Sequence, residues 1–326
     1  MIDGKAPRRQ GGKSGVVGRE TEPTEAAGAR QKVVLRPLAI PETIVDIVRK
    51  LEDAGHEAWC VGGSLRDALL GGGEQDYDVA TSARPGEVQR IFRRTVPIGL
   101  RFGTVGVLDR EGALHEVTTF RRDVETDGRH AVVEYGVSLN DDLARRDFTI
   151  NALAYHPLRE EWRDPFHGVA DLDAGVVRAV GDPADRFRED YLRILRALRF
   201  SARFGFAIEA KTWDAARAAS EGLQQLSAER VRDEWFKSLT TARDLAELVR
   251  LWRESGAAAV WLPELTAAVV PDVPLAERDP VLLTVALTTG ADGVLRRLKA
   301  SNDEVNRAAR AQASAAELYG DWKSVV

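Results

Sequence analysis

The residues most able to do chemistry sit in one twenty-residue stretch, GGSLRDALLGGGEQDYDVAT, from Gly62 to Thr81. Asp76 and Asp78 flank Tyr77 at the start of a strand-like run, residues 77–80. Side chains alternate along a strand, so the two carboxylates are expected on one face, with Tyr77 and Val79 turned to a core. Neighbouring carboxylates repel and raise each other's pKa unless cations sit between them. Magnesium (Mg2+) suits such a pair, because it takes oxygen ligands and shares itself with substrate phosphates. Two such ions can activate an attacking hydroxyl and stabilise a leaving pyrophosphate. A bare Asp-x-Asp equally describes a solvated edge strand.

The upstream glycines sharpen the reading. Gly62-Gly63 follows an apolar strand, residues 58–61, and precedes a helix starting near Ser64. Backbone N–H groups and the positive dipole end at such a turn suit a triphosphate, which makes Gly63 a nucleotide-binding candidate. Arg66, one turn in, adds a bidentate phosphate contact. Alone, a glycine pair marks a tight turn; with Arg66 and the paired aspartates at this spacing it marks a nucleotide site. Glu116, in HEVTTF, is either a third carboxylate supporting the metal or an ordinary surface residue. Gly12-Lys13-Ser14 ends like a P-loop, but that motif needs a glycine where Pro7 stands, and no strand precedes it.

Two more clusters carry the same types. In RRDFTINALAY (145–155), Arg146 can hold a phosphate and Asp147 can accept from a ribose hydroxyl, or the triplet is a solvated turn with a local ion pair. In REDYLRILRALRFSARFGF (188–206), helical spacing puts Tyr191, Ile194, Leu195 and Leu198 on a core face. Asp190 and Arg193 are then i,i+3 neighbours, with Arg196 and Arg199 continuing a stripe round the helix. As a surface pair Asp190 and Arg193 are worth about 0.3 kcal/mol. As base readers they do more. A carboxylate only accepts and a guanidinium only donates, which together match an exocyclic amine beside a ring-nitrogen acceptor. Cytosine and adenine present that edge; guanine and uracil present its reverse and would strand buried groups at roughly 1–3 kcal/mol each.

The elements that must position these residues follow from periodicity. A helical pattern begins at Pro41 (Ile44, Ile47, Val48, Leu51). Short apolar runs at 58–61, 77–80, 104–108, 116–120 and 148–155 then read as a small sheet with helices packed on it. After about Pro183 strand signals vanish, and 186–203, 210–219, 228–239 and 242–253 read as amphipathic helices. The fold class is therefore α+β, a mixed sheet head followed by an all-helical remainder. Residues 1–33 are Gly-, Lys-, Arg- and Glu-rich with few large apolar residues, as expected of a disordered arm. The 326-residue chain is 44% hydrophobic and 30% charged, which excludes a fibrous or low-complexity class. It has no apolar run long enough for a membrane span and no secretory h-region, so no membrane is expected as a partner. A single cysteine, Cys60, excludes an internal disulfide and multi-cysteine zinc, and points to a reducing cytoplasm. Net charge is −5, which leaves room for a local basic stripe that binds phosphates.

Taken together, GGSLRD…DYD, RRDFTINALAY, DPFHGVADLDAG and RFREDYLRILRALRF resemble the class II tRNA nucleotidyltransferases, the CCA-adding enzymes, which share their head with bacterial poly(A) polymerases. The resemblance runs from about Pro41 past Leu239, and weakly through LRRLKASNDEV (295–305). It implies a palm-like nucleotidyltransferase head (34–157), a neck with the base-reading helix (158–220), and a helical body with an abbreviated tail (221–326). It implies CMP, CMP and AMP transfer from CTP and ATP to tRNA, with no protein partner. Carried over, Asp76 and Asp78 are the catalytic magnesium ligands. Gly63, Arg66, Arg146 and Asp147 hold the nucleotide, Asp190 and Arg193 read the base, and Arg196 and Arg199 are further contacts. LSAERVRDEWFKSL (226–239) resembles the element bracing the base-reading helix, with Arg230 and Glu234 at i,i+4. Residues 119–135 correspond to the family's flexible loop, where retained Asp127, Gly128 and Arg129 favour full CCA addition over CC addition alone. No His-Asp doublet of the phosphohydrolase type is found. A poly(A) polymerase, a CC- or A-adding enzyme, an inactive RNA-binding protein and a small-molecule nucleotidyltransferase remain alternatives.

Overall fold

The computed structural model describes Met1 and residues 32–72, 76–126, 131–265 and 270–323. The expected N-terminal arm and Asp127, Gly128 and Arg129 therefore lie outside the described residues, apart from the ends of that arm.

The strands in chain order are β1 (Ala58–Val61), β2 (Asp78–Thr81), β3 (Thr95–Gly99), β4 (Thr104–Leu108), β5 (Leu114–Thr119), β6 (Arg121–Thr126), β7 (Ala131–Tyr135), β8 (Ala154–His156), β9 (Glu161–Arg163), β10 (Val176–Val177) and β11 (Ala207–Ile208). Seven of them make one sheet in the order β3-β4-β5-β2-β1-β8-β9. The β2–β5 pair is parallel and its neighbours are antiparallel, so the sheet is mixed as expected. Period two is visible in β1: Ala58 and Cys60 face one apolar cluster, Trp59 and Val61 the other.

The helices are α1 (Glu42–Asp53), α2 (Gly63–Leu69), α3 (Pro85–Ile91), α4 (Leu139–Ala144), α5 (Gly168–Ala174), α6 (Pro183–Glu189), α7 (Leu192–Phe204), α8 (Ala210–Ala218), α9 (Ala228–Thr241), α10 (Leu245–Glu254), α11 (Ala257–Trp261), α12 (Pro280–Leu287), α13 (Ala291–Arg297) and α14 (Asn302–Lys323). Among the described residues none is long and apolar enough to cross a membrane. One helix ties the molecule together. Ala197 and Phe200 of α7 belong to the sheet core, while its Ile194, Leu195, Leu198 and Ala202 belong to the helical core with Val231, Trp235 and Leu239. Two apolar stripes leave one polar stripe, which carries the arginines. Gly205, left-handed at φ 64°, ends the helix as glycine readily does.

Four expectations need correction. The helix expected over 186–203 breaks at Asp190, whose backbone is extended (φ −157°, ψ 104°) and whose carboxylate caps the Leu192 N–H at 3.0 Å. Aspartate competes for backbone donors in this way, and it starts a new helix here. The run 148–155 is not one strand. A 3-10 turn over Thr149–Asn151 precedes β8, and the buried Thr149 hydroxyl donates to Asp171. Strand structure does not vanish after Pro183, because β11 pairs in parallel with β10. The described part of residues 119–135 includes an antiparallel ribbon, β6 with β7. Short or polar strands such as these carry too little apolar alternation to be read from sequence.

Candidate active site

The glycine pair earns its place through Arg146. Gly62 has φ 90° and ψ −149°, a conformation that suits glycine, and a β-carbon there would stand 2.9 Å from Arg146 Nη1. Its own N–H goes to Leu153 O at 3.3 Å. Gly63 opens α2, and a β-carbon on it would crowd Arg66 at 3.1 Å. The turn is thus shaped to bring two guanidinium groups against backbone.

Asp78 starts β2 opposite Val61, next to this turn. The parallel register with β5, Val79 opposite Val117, places Glu116 beside it on the same face. Asp76 lies just before the strand and is exposed, while Tyr77 and Val79 are buried, so the expected alternation holds although β2 begins two residues later than Asp76. Desolvation within the cleft, then the Glu116 charge and more weakly Asp76, push Asp78 up to about 6 despite the opposing pull of Arg146. Burial is the main cause of the shift, with the neighbouring Glu116 carboxylate adding to it. The donors are all carboxylate oxygens, which fits a hard divalent cation. Among the described residues no three or more His, Cys, Asp or Glu side chains form a ready-made metal site. Such an ion would need substrate phosphates as well, as magnesium commonly does. Behind the strand, burial and the Asp78 charge push the Cys60 thiol up to about 12, which leaves it inert as a nucleophile.

Beyond the carboxylates opens a cleft of about 530 Å³, within the range of small-ligand sites. Gly62, Gly63, Arg66, Asp78, Arg146, Asp147, Asp190, Arg193, Arg196 and Arg199 all line it; Asp76 and Glu116 do not. Arg145, Asn151, Phe200, Arg203 and Arg230 join them. Eight arginines face three aspartates across its wall, on a chain whose net charge is −5. Such a wall concentrates polyanions.

Each arginine is aimed by an acid behind it. Asp142 of α4, 1% exposed, takes Arg145 Nη2 at 2.9 Å and Arg146 Nη2 at 3.3 Å. Arg146 Nε is buried and without a partner among the described residues, a donor aimed at nothing the protein supplies. Asp67 holds both Arg66 at 2.8 Å and Arg203 at 3.0 Å. Arg66, only 4% exposed, also donates to Asn151 Oδ1 and lies over the Phe200 and Phe204 rings, each 4.9 Å away. It serves as a strut between α2 and α7 while also lining the cleft, where the nucleotide contact is expected.

Asp147 is similarly occupied. Its Oδ1 accepts from the Phe148 N–H and Asn151 Nδ2, and its Oδ2 from Arg196 Nε at 2.7 Å. Burial pushes its pKa up, but Arg196 and these donors outweigh it and bring Asp147 down to about 2.

The base-reading pair is arranged differently from the expected i,i+3 contact. Arg193 pairs with Glu189 at 2.9 Å and donates to Arg145 O at 3.0 Å; Asp190 pairs with Arg230 at 2.7 Å. Glu234 takes the buried Arg199 of α7. So α9 grips α7 and its elbow at two points. Sequence reasoning passed over Asp67, Asp142, Asn151, Arg145 and Arg203. The Arg-Asp doublet of the first motif was the only local signal, for Asp67.

Comparison with known proteins agrees with this geometry. Residues 58–178 match the family described as the poly A polymerase head domain, and residues 205–269 match the probable RNA and SrmB-binding site of polymerase A. A CCA-adding enzyme of Lactiplantibacillus plantarum is 39% identical over 274 residues, covering 80% of this chain and 67% of the relative. The chain belongs to the CCA-adding enzyme family. The CCA-adding enzyme of Leuconostoc mesenteroides is 49% identical over 61% of this chain and 51% of its own length. The crystal structure of the Bacillus stearothermophilus CCA-adding enzyme in complex with CTP superposes with a TM-score of 0.76 at 34% identity, covering 85% of this chain and 70% of that one. The chain spans about half the length of the first curated members it matches.

Proposed function

We propose that this protein adds C, C and A to tRNA 3′ ends from CTP and ATP, without a nucleic-acid template, releasing pyrophosphate. The observation that carries the reading is the cleft itself, which joins the Asp78 edge of the sheet to the arginine stripe and elbow of α7. Arg146, whose Nη1 lies against Gly62 in the cleft wall, holds the triphosphate. Arg196 fixes Asp147 near the ribose, and Asp190 with Arg193 reads the base edge after exchanging present partners for it. The terminal 3′-hydroxyl oxygen forms a bond to the α-phosphorus, the bond from that phosphorus to the bridging oxygen breaks, and pyrophosphate departs. Asp76 and Asp78, with Glu116 beside them, would hold magnesium, which supplies Lewis acidity to the hydroxyl and the phosphates. The head (34–157) acts as the catalytic part, the neck (158–220) as the reader and the body (221–326) as the tRNA support, in the cytoplasm, where a lone thiol stays reduced.

Sequencing the 3′ ends made on tRNAs lacking CCA, CA or A, with defined nucleotide mixes, tests this reading. Stepwise C, C, A is expected. A homopolymer ladder from ATP alone would favour a poly(A) polymerase, the reading that the head-domain match keeps in view. Asp76→Ala is expected to abolish transfer without loss of fold; extension at the parent rate would remove Asp76 from the metal site.

A further inference from the structure

The elbow between α6 and α7 is two residues long and lacks continuous helical hydrogen bonding, yet it carries Asp190 and leads into Arg193. Its internal bonds are few: Leu192 N–H to Asp190 Oδ1, Arg193 N–H to Asp190 O and Ile194 N–H to Tyr191 O, all 3.0–3.1 Å. Something outside must set its direction. One anchor is Arg230 of α9 on Asp190 Oδ2. The other is steric. Gly222, in the 3-10 turn Ser220–Gln225 that leads towards α9, lies so close beneath the Tyr191 ring that an added β-carbon would overlap Cε1, Cζ and Cδ1. Gly222 has no left-handed φ, so its backbone demands no glycine. The ring alone demands one. Among the described residues the Tyr191 hydroxyl has no hydrogen-bond partner, so the contact is made by ring carbons, with the ring packed against the helical core.

We propose that the docking of Tyr191 on Gly222 positions Asp190 and Arg193 for nucleotide selection, making both Tyr191 and Gly222 positioning residues for discrimination between C or A and U or G. This inference rests on the function proposed above. Neither residue lines the cleft, so both are assigned a role through Asp190 and Arg193 and none in direct contact.

The test compares Gly222→Ala, Tyr191→Ala, Tyr191→Phe and the Gly222→Ala/Tyr191→Ala double variant in four-nucleotide competition on tRNA lacking CCA. Gly222→Ala is expected to lower the ratio of correct to incorrect incorporation roughly tenfold, about what one displaced hydrogen bond is worth. Tyr191→Ala, which loses the dock without adding a clash, is expected to lower the ratio by only about threefold, the double variant should recover to that level, and Tyr191→Phe should match the parent. A merely structural defect would slow all four nucleotides alike and leave the ratio unmoved, which overturns the proposal. A double variant no better than Gly222→Ala overturns it too. If Gly222→Ala does not fold, Tyr191→Ala decides: a parental ratio in that variant overturns the proposal. If the parent incorporates no nucleotide at all, the proposed function fails separately. Amide exchange at Arg193 and Ile194 then judges the dock, which stands only if exchange is faster than in the parent in both Gly222→Ala and Tyr191→Ala, and the double variant falls back to the Tyr191→Ala rate.

Discussion

Asp78 carries the sharpest conflict between stability and function. Its carboxyl is pushed up to about 6, so in the metal-free protein its ionised form is the disfavoured one. For a raised acid, stability is fully present below the unfolded pKa and is lost as pH rises through the folded value. Asp78 is exposed at the strand edge, so solvent screens the effect, and Asp78→Asn should raise Tm only slightly at pH 8 without magnesium, with the gain gone by pH 4, while transfer is lost. A calorimetric scan at both pH values checks it, and an unchanged Tm at pH 8 would show that the charge is already neutralised. Asp147 runs the other way. Brought down to about 2, it contributes stability that is present above the unfolded value near 3.8 and lost as pH falls through about 2. The gap of ~2 units corresponds to about 2–3 kcal/mol. Urea titrations of the parent and Asp147→Asn should show a difference that narrows by roughly that amount between pH 5 and pH 2.

At the scale of elements, α7 is the part on which the site depends. It presents Arg196, Arg199 and Arg203 to the cleft while α9 holds it from behind through Glu234 and the elbow through Arg230. The Arg199–Glu234 pair is nearly sealed, with side chains 9% and 5% exposed. Removing one partner leaves a buried charge, so Glu234→Ala should cost about 3–5 kcal/mol. Denaturant titration reads the loss; a cost under 1 kcal/mol would mean that water reaches Arg199 and the grip is loose. The same elements explain why Arg66 is a strut. The stack of its guanidinium on Phe200 and Phe204 links α2 to α7.

For the molecule as a whole, sheet and helical body share α7 across two apolar clusters. Phe200 sits in the sheet cluster, 3% exposed, yet is carried on the helix that the body holds. Phe200→Ala should cost about 3–5 kcal/mol. It should also lower the far-UV dichroism and tryptophan fluorescence transitions together. Separate transitions, with only one displaced, would show that the two clusters unfold independently. The whole-chain charge hides the site. A chain of net charge −5 gathers eight arginines at one cleft, each held by an acid, an arrangement that the whole-chain charge does not reveal.

What the sequence by itself determined is local. The edges of β1 and β4, the helices α8 and α9 and the glycine turn before α2 follow from residue type and short spacing, whereas the grouping of Gly63, Arg66, Asp78, Arg146, Asp147 and the α7 arginines at one cleft came from the family resemblance. The tertiary structure alone decided who pairs with whom. Arg203 meets Asp67 across 136 residues, Arg196 meets Asp147 across 49 and Arg230 meets Asp190 across 40, each in preference to acids nearer in the chain. Guanidinium and carboxylate are chemically alike wherever they occur, so spacing cannot rank distant partners; burial and approach angle do. The same holds for the break at Asp190 and for the glycine beneath Tyr191, because both answer to contacts that exist only after the helices have packed.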